Sequence, residues 1–213
     1  GTWLHGTLHR FHEALQREPG LDRTRTLNAS AQAEQQHLGL SDAAFLPFAL
    51  GWPKTREAYL AWLAEHEASG AQYREGEVSQ ELALDIAGQT IRLVGKVDRI
   101  DSDGHGGQWL LDYKTEGLDK TKRRIQDVDE DTQLAFYALL GGTQQPTQAA
   151  YVNVVERASA DNRTQLLALP DVAVQQAALQ SSIRADLSRI ATGHALRALG
   201  EGDSCTYCQA RGL

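Results

Sequence analysis

Residues 95–115 read GKVDRIDSDGHGGQWLLDYKT, two short apolar runs that each carry an acid, joined by a Gly-rich turn. The second run ends Leu111-Asp112-Tyr113-Lys114-Thr115. Successive side chains on a strand point to opposite faces, so Asp112 and Lys114 share a face while Tyr113 points away. Asp98 lies near the end of the preceding run, and a hairpin between the two runs brings it close to Asp112. Two such carboxylates repel strongly unless one is protonated or a cation sits between them. A hard divalent cation, Mg²⁺ or Mn²⁺, takes oxygen ligands of this kind. A lysine beside it can hold or deprotonate a water, or stabilise developing negative charge. Cation, water and ammonium together suit hydrolysis of a phosphodiester. The plain alternative is structural: Asp98, Arg99 and Asp101 as a surface charge ladder, with Lys114 a solvated edge lysine. A D-x-K alone usually means no more than that. The apolar strand before it, and the matched acid on the strand before that, argue for chemistry.

The elements that must position these groups are legible from periodicity. Residues 1–17 predict a helix, with Leu4, Leu8, Phe11 and Leu15 on one stripe and His5, His9 and His12 on a second. Residues 28–70 predict two or three helices broken near Gly39 and Gly51-Trp52-Pro53. From Val78 to Lys114 the pattern turns to strands: VSQELALDI, a turn at Ala87-Gly88-Gln89, TIRLVGKVDRI, a turn at SDGHGG, and QWLLDYKT. That is an antiparallel meander of three strands. Residues 127–140 predict a helix capped by Asp127 or Asp129 and ended by Gly141-Gly142. Strands are expected at 151–156 and 164–169. A helix over 171–192 is expected to face inward with Val174, Ile183, Leu187 and Ile190. The fold class is α/β, a small mixed sheet flanked by helices. No Gly-rich phosphate loop follows the first strand, which removes the usual nucleotide-binding readings.

The chain has 213 residues, enough for one sizeable core, with 41% hydrophobic and 23% charged residues. It reads as a single domain over 1–213: a mainly helical part at 1–75, a sheet core at 76–170, and a helix with a cysteine segment at 171–213. No apolar run is long enough to span a bilayer, and no signal-peptide pattern opens the chain. Cys205 and Cys208 give no disulfide framework, which favours a cytoplasmic setting. The chain starts at Gly1 and lacks methionine, which reads as a fragment of a larger protein or a processed form. The net charge of −7 argues against a general polyanion binder. Lys114, Lys120, Lys122, Arg123 and Arg124 nevertheless cluster in sequence. The run 120–124 reads as a basic loop, either contacting DNA or merely solvated.

Gly95-Lys96-Val97-Asp98-Arg99-Ile100-Asp101, followed by Leu111-Asp112-Tyr113-Lys114-Thr115, resembles the PD-(D/E)xK nuclease superfamily. In particular it resembles the RecB-type exonuclease domains of bacterial recombination helicase–nucleases and their CRISPR-associated relatives. Gly1-Thr2-Trp3-Leu4-His5 is similar to that group's G-x-x-x-H helix, and Gln133-Leu134-Ala135-Phe136-Tyr137 to its Q-x-x-x-Y motif. Cys205-Thr206-Tyr207-Cys208 is similar to the start of its C-terminal cysteine segment. The resemblance runs the length of the chain.

It implies a restriction-endonuclease-like core and a Mg²⁺- or Mn²⁺-dependent nuclease of bacterial-type cytoplasm, acting on single-stranded DNA ends beside a helicase domain or subunit. It implies His5, Asp98, Asp112 and the Tyr113 carbonyl as metal ligands. Asp98, Asp112 and Lys114 would be catalytic, with Lys114 on the attacking water. Gln133 and Tyr137 would help hold DNA, and a Gln–Tyr hydrogen bond inside the core is the bland reading of that pair. A non-catalytic, nuclease-like DNA-binding domain is the rival reading. Val97 departs from the pattern, standing at the proline position. His5 and His9 are also spaced for zinc, but no third ligand follows, so His9 and His12 read as polar-face residues. Glu81 reads as an exposed strand glutamate. A 4Fe–4S cluster is possible only with cysteines from outside this chain, since Cys205 and Cys208 cannot complete one.

Overall fold

A computed structural model describes residues 1–128, 130–142, 147–154 and 163–194. Cys205, Cys208 and Asp129 lie outside the described residues. Four helices come first: α1 (Thr2–Arg17), α2 (Arg23–His37), α3 (Asp42–Ala49) and α4 (Trp52–Ala68). The meander follows as β1 (Gln72–Ile86), β2 (Gln89–Ser102) and β3 (Gln108–Lys114). Then come α5 (Leu118–Gln126), α6 (Gln133–Gly141), β4 (Thr147–Asn153), β5 (Gln165–Ala168) and α7 (Val172–Ala191).

The sheet order is β1-β2-β3-β4-β5. The meander is antiparallel, β4 joins β3 in parallel, and β5 is antiparallel to β4. A parallel neighbour needs a crossover, and α5 and α6 supply it. Ala87 and Gly88, with φ of 49° and 80°, close the β1/β2 hairpin in the two-residue turn that suits strand twist. In the β2/β3 turn, Asp103 Oδ1 accepts the amide N–H groups of His105 and Gly107, each at 2.8 Å. Gly104 in that turn has φ 77°, and a Cβ there would lie 2.9 Å from the Gly70 carbonyl.

Alternation along β3 splits the core in two. Leu111 and Tyr113 face α1, α2 and α4, joining Leu4, Leu8, Phe11, Leu27 and Leu63. Leu110 faces α6 and α7, joining Leu134, Ala138, Tyr151 and Val172. Asp112 and Lys114 share Leu110's side, so they look toward α6.

The first face also buries a polar network. Arg99 and Asp101 are 1% and 0% exposed. The guanidinium donates twice to the Asp101 carboxylate, both at 2.7 Å, and its third nitrogen donates to His12 Nε2 at 2.8 Å and the Tyr59 hydroxyl at 3.1 Å. His66 of α4 reaches Asp101 at 3.0 Å. The surface-ladder alternative is therefore excluded. His12 is no polar-face residue but a buried acceptor, and burial, then Arg99, lower its pKa well below the ordinary value.

Four other expectations are corrected. β1 begins at Gln72, six residues early, because its first turns are polar and bulged and lack alternation. The basic run is a helix, α5, whose amphipathicity is carried by charge, with only Thr121 buried. The next helix starts at Gln133 after an N-cap at Thr132, and Asp127 instead ends α5. On α7 two of the four expected residues turn inward: Ile183 and Leu187 are half-buried on the row of the buried Val172 and Gln176, whereas Val174 and Ile190 are exposed. Among the described residues, no helix is long and apolar enough to cross a membrane.

Asp101→Asn leaves the Arg99 guanidinium buried without its counter-charge. The expected loss is about 3–5 kcal/mol in urea unfolding at neutral pH. Burial opposes ionisation of Asp101, but Arg99 and His66 outweigh it and hold the carboxyl below its ordinary pKa. This stabilisation is thus complete above the ordinary carboxylate range, and it is lost as pH falls through the lower folded value. An unchanged unfolding midpoint would refute the role of the pair.

Candidate active site

Three strands carry the acids in one row. Gly76 pairs with Arg99 and Val78 with Val97, which sets Glu77 opposite Asp98. The β2/β3 ladder stops at Arg99 and Leu111, and one step on Asp98 stands opposite Asp112. In the parallel ladder Asp112 pairs with Tyr151. Where β2 and β3 part, the Asp98 side chain replaces the ladder: its Oδ2 accepts the Tyr113 amide N–H at 2.9 Å. α1 lays His5 over this point, with Nδ1 3.3 Å from Asp98 Oδ2. Gly76 permits the close approach of α1, since a Cβ there would stand 2.8 Å from His9 Nδ1. Glu77 beside it adopts φ 55°, a left-handed backbone unusual outside glycine.

Each acid of the row has a basic partner. Lys96 pairs with Glu77, His5 with Asp98, and Lys114 with Asp112, the last at 2.6 Å. Gln133 locks the final pair: its Oε1 accepts from Lys114 Nζ at 2.7 Å, and its Nε2 donates to Asp112 Oδ1 at 2.8 Å. The same nitrogen donates to the Tyr137 hydroxyl at 2.8 Å. Gln133 and Tyr137 thus do hydrogen-bond each other, but as part of the acid–lysine pair. Tyr113 gives its amide to Asp98 and buries its ring in the Arg99 cluster, 3.0 Å from the Tyr59 hydroxyl at its own oxygen.

Burial, then the charge of Asp98, push the Asp112 carboxyl up to about 6, and Lys114 offsets only part of this. Burial alone lowers the His5 imidazole, but its bond to Asp98 and the charges of Asp98, Asp112 and Glu77 reverse the effect and raise it.

Ligand atoms of His5, Glu77 and Asp98 lie within 4.8 Å of one another. No other such group of three or more His, Cys, Asp or Glu side chains is gathered among the described residues. Asp112 belongs to the row but turns toward Lys114 and Gln133. Its buried Oδ2 faces the Lys114 ammonium at 2.6 Å. Carboxylate oxygens with one imidazole fit a divalent cation. An open cleft of about 620 Å³ gives access to the group, lined by His5, His9, Glu13, Glu77, Lys96 and Asp98 among others.

α5 follows Lys114 after a three-residue link. Its Lys122 and Arg123 are exposed, whereas Lys120 pairs with Glu116 at 3.2 Å and Arg124 is held by Glu116 and Asp131. Glu77 was not singled out by sequence reasoning. Counting equal steps back from the Ala87-Gly88 turn finds it, since the tenth residue on either side is Glu77 on β1 and Asp98 on β2. Glu81 is exposed and pairs with Arg92, as expected.

The family model of the PD-(D/E)XK nuclease superfamily matches residues 1–213. No curated protein matches the chain. Among solved structures, the crystal structure of SSO0001 aligns at 14% identity over 84% of this chain and 73% of that one, with a TM-score of 0.31.

Two outcomes follow from the geometry. Glu77→Gln weakens Mn²⁺ binding about tenfold, while Glu81→Gln leaves it unchanged, by isothermal titration. Both raised groups, His5 and Asp112, hold protons on the acid side that a cation must displace. Cation affinity therefore falls as pH drops through about 6, the value of Asp112. A flat profile between pH 5 and 7.5 speaks against these ligands.

Proposed function

The chain belongs to the PD-(D/E)XK nuclease superfamily, and on that footing we propose that it is a divalent-metal-dependent deoxyribonuclease. The observation that carries this reading is the Lys114 ammonium 2.6 Å from Asp112, in the same strand row as the His5–Glu77–Asp98 group. The superfamily's nucleases use divalent metals. His5, Glu77, Asp98 and Asp112, with the Tyr113 carbonyl, would hold Mg²⁺ or Mn²⁺. A cation held there would supply Lewis-acid polarisation of a phosphate and a bound water of lowered pKa.

The chain's own groups do the rest. Lys114, the one cation in the row that Gln133 also orients, holds the attacking water and stabilises charge on the phosphate oxygens. Asp112 keeps that ammonium beside the reacting centre. Gln133 and Tyr137 fix the Asp112 carboxylate and present polar atoms to the strand. Exposed Lys120, Lys122 and Arg123, with half-buried Arg124, give α5 a basic rim for the sugar–phosphate backbone. An acidic remainder and a rim at one point suit a single-stranded end fed by a helicase domain or subunit, in exonucleolytic recombination or repair within the cytoplasm. Residues 1–213 act as one nuclease unit in this reading.

The test uses end-labelled single-stranded DNA and a circular control. Cleavage by the parent with Mg²⁺ or Mn²⁺, none with EDTA, and a loss of about a hundredfold or more in Asp112→Ala and Lys114→Ala are expected. Undiminished cleavage by Asp112→Ala overturns the mechanism. Divalent-independent binding with no turnover by the parent marks a DNA-binding domain instead. A spared circle assigns exonuclease action.

A further inference from the structure

Lys114 has a third neighbour besides Asp112 and Gln133. Its Nζ lies 4.7 Å from the centroid of the Tyr151 ring. That ring is 1% exposed and belongs to β4, directly across from Asp112 in the parallel ladder. An ammonium over an aromatic face in a desolvated place is attracted to the ring quadrupole. The ring is itself tethered, because its hydroxyl donates to Asp131 Oδ1 at 2.5 Å. The same Asp131 oxygen accepts the Gln133 amide N–H at 3.4 Å, at the start of α6. Both uncharged partners of Lys114 thus hang from one carboxylate. Asp131 is fixed in turn by Arg124, which donates to its Oδ2 at 2.6 Å and grips Glu116 with its other nitrogens.

We propose that Tyr151 and Asp131 are positioning residues for Lys114: the Tyr151 ring holds the ammonium at the site, and Asp131 holds both that ring and the Gln133 end of α6. The claim rests on the nuclease reading for its catalytic consequence, but the geometric part stands without it. Lys114 has three donors on a flexible stem, and Asp112 alone fixes only one direction. The Tyr151 face and the Gln133 oxygen supply the other two. The ring does this by its face and the hydroxyl by its tether, so the two are separable by substitution. Tyr151→Phe keeps the face and cuts the tether. Tyr151→Leu removes the face. Asp131→Asn keeps the volume and weakens the grip of both arms.

Two measurements test this. The first reads geometry without turnover. Lysine-labelled protein gives side-chain NMR signals for Lys54, Lys96, Lys114, Lys120 and Lys122, with Lys114 assigned by its loss in Lys114→Arg. The Lys114 ε-protons are expected upfield through the ring current of Tyr151, retained in Tyr151→Phe, lost in Tyr151→Leu and reduced in Asp131→Asn. The second is single-turnover cleavage beside DNA binding in Ca²⁺. Tyr151→Leu is expected to slow cleavage about tenfold or more, with DNA affinity within about twofold, and Tyr151→Phe to recover most of the rate. In a Lys114→Ala background, Tyr151→Leu is expected to cost nothing further, which a merely structural role would not produce. A Lys114 signal indifferent to Tyr151→Leu overturns the proposal, as does full additivity with Lys114→Ala. If the parent cleaves no DNA, the nuclease reading falls and the NMR arm alone decides the positioning.

Discussion

A guanidinium sealed from water at the centre of the molecule is the constraint on which the rest depends. Arg99 cannot shed its proton and cannot reach solvent. Every group that satisfies it must therefore be in place. Asp101 neutralises it from the same strand, α4 contributes Tyr59, and α1 contributes His12. Trp62 and Tyr73 cover its faces at 5.7 and 5.6 Å. Since His12 must stay an acceptor, the register of α1 over the sheet is set. Two turns earlier on that helix, the same register delivers His5 to Asp98. Tyr113 links the network to the other side, with its ring among these groups and its amide on Asp98. A buried charge cluster thus holds the helices where the site needs them, and the site borrows its rigidity.

The site itself is a problem of like charges. Three carboxylates in one row repel, and the chain answers each with a base: Lys96, His5 and Lys114. These bases differ in how firmly they are held. Lys96 is more than half exposed and held by Glu77 alone, whereas the Lys114 side chain is only 17% exposed and gripped from several sides. The row is thus loosely countered at Glu77, on the cleft side, and firmly countered at Asp112.

Much of this is legible in the sequence. The meander, its two turns, the Asp98–Asp112 pair and the D-x-K strand follow from alternation and turn chemistry, because they are local. What was missed depends on tertiary context. α5 has charge periodicity in place of apolar periodicity, and its buried Thr121 is chosen by Asn153, far away in sequence. His12 reads as polar surface until Arg99 is known to be inside. Val174 sits outside and Val172 inside on α7 because the helix packs by its rows at 172, 176, 179 and 183, which hydrophobicity alone does not rank. Glu77 was recoverable by counting from a tight turn, whereas the left-handed φ that accompanies it was not.

The sheet order carries one more consequence, in the sequence of assembly. β1 and β2 close on a two-residue turn and β2 and β3 on a short one, so Glu77, Asp98 and Asp112 are aligned by nearby chain alone. Closing short loops costs little entropy and occurs quickly. Tyr151 reaches Lys114 only across the parallel β3/β4 ladder, after the chain has wound through α5 and α6. The acidic half of the centre is thus written in one contiguous stretch, and the half that would wield the lysine waits on a crossover. A growing chain would line up its row of acids before it gained the ring that steadies its lysine.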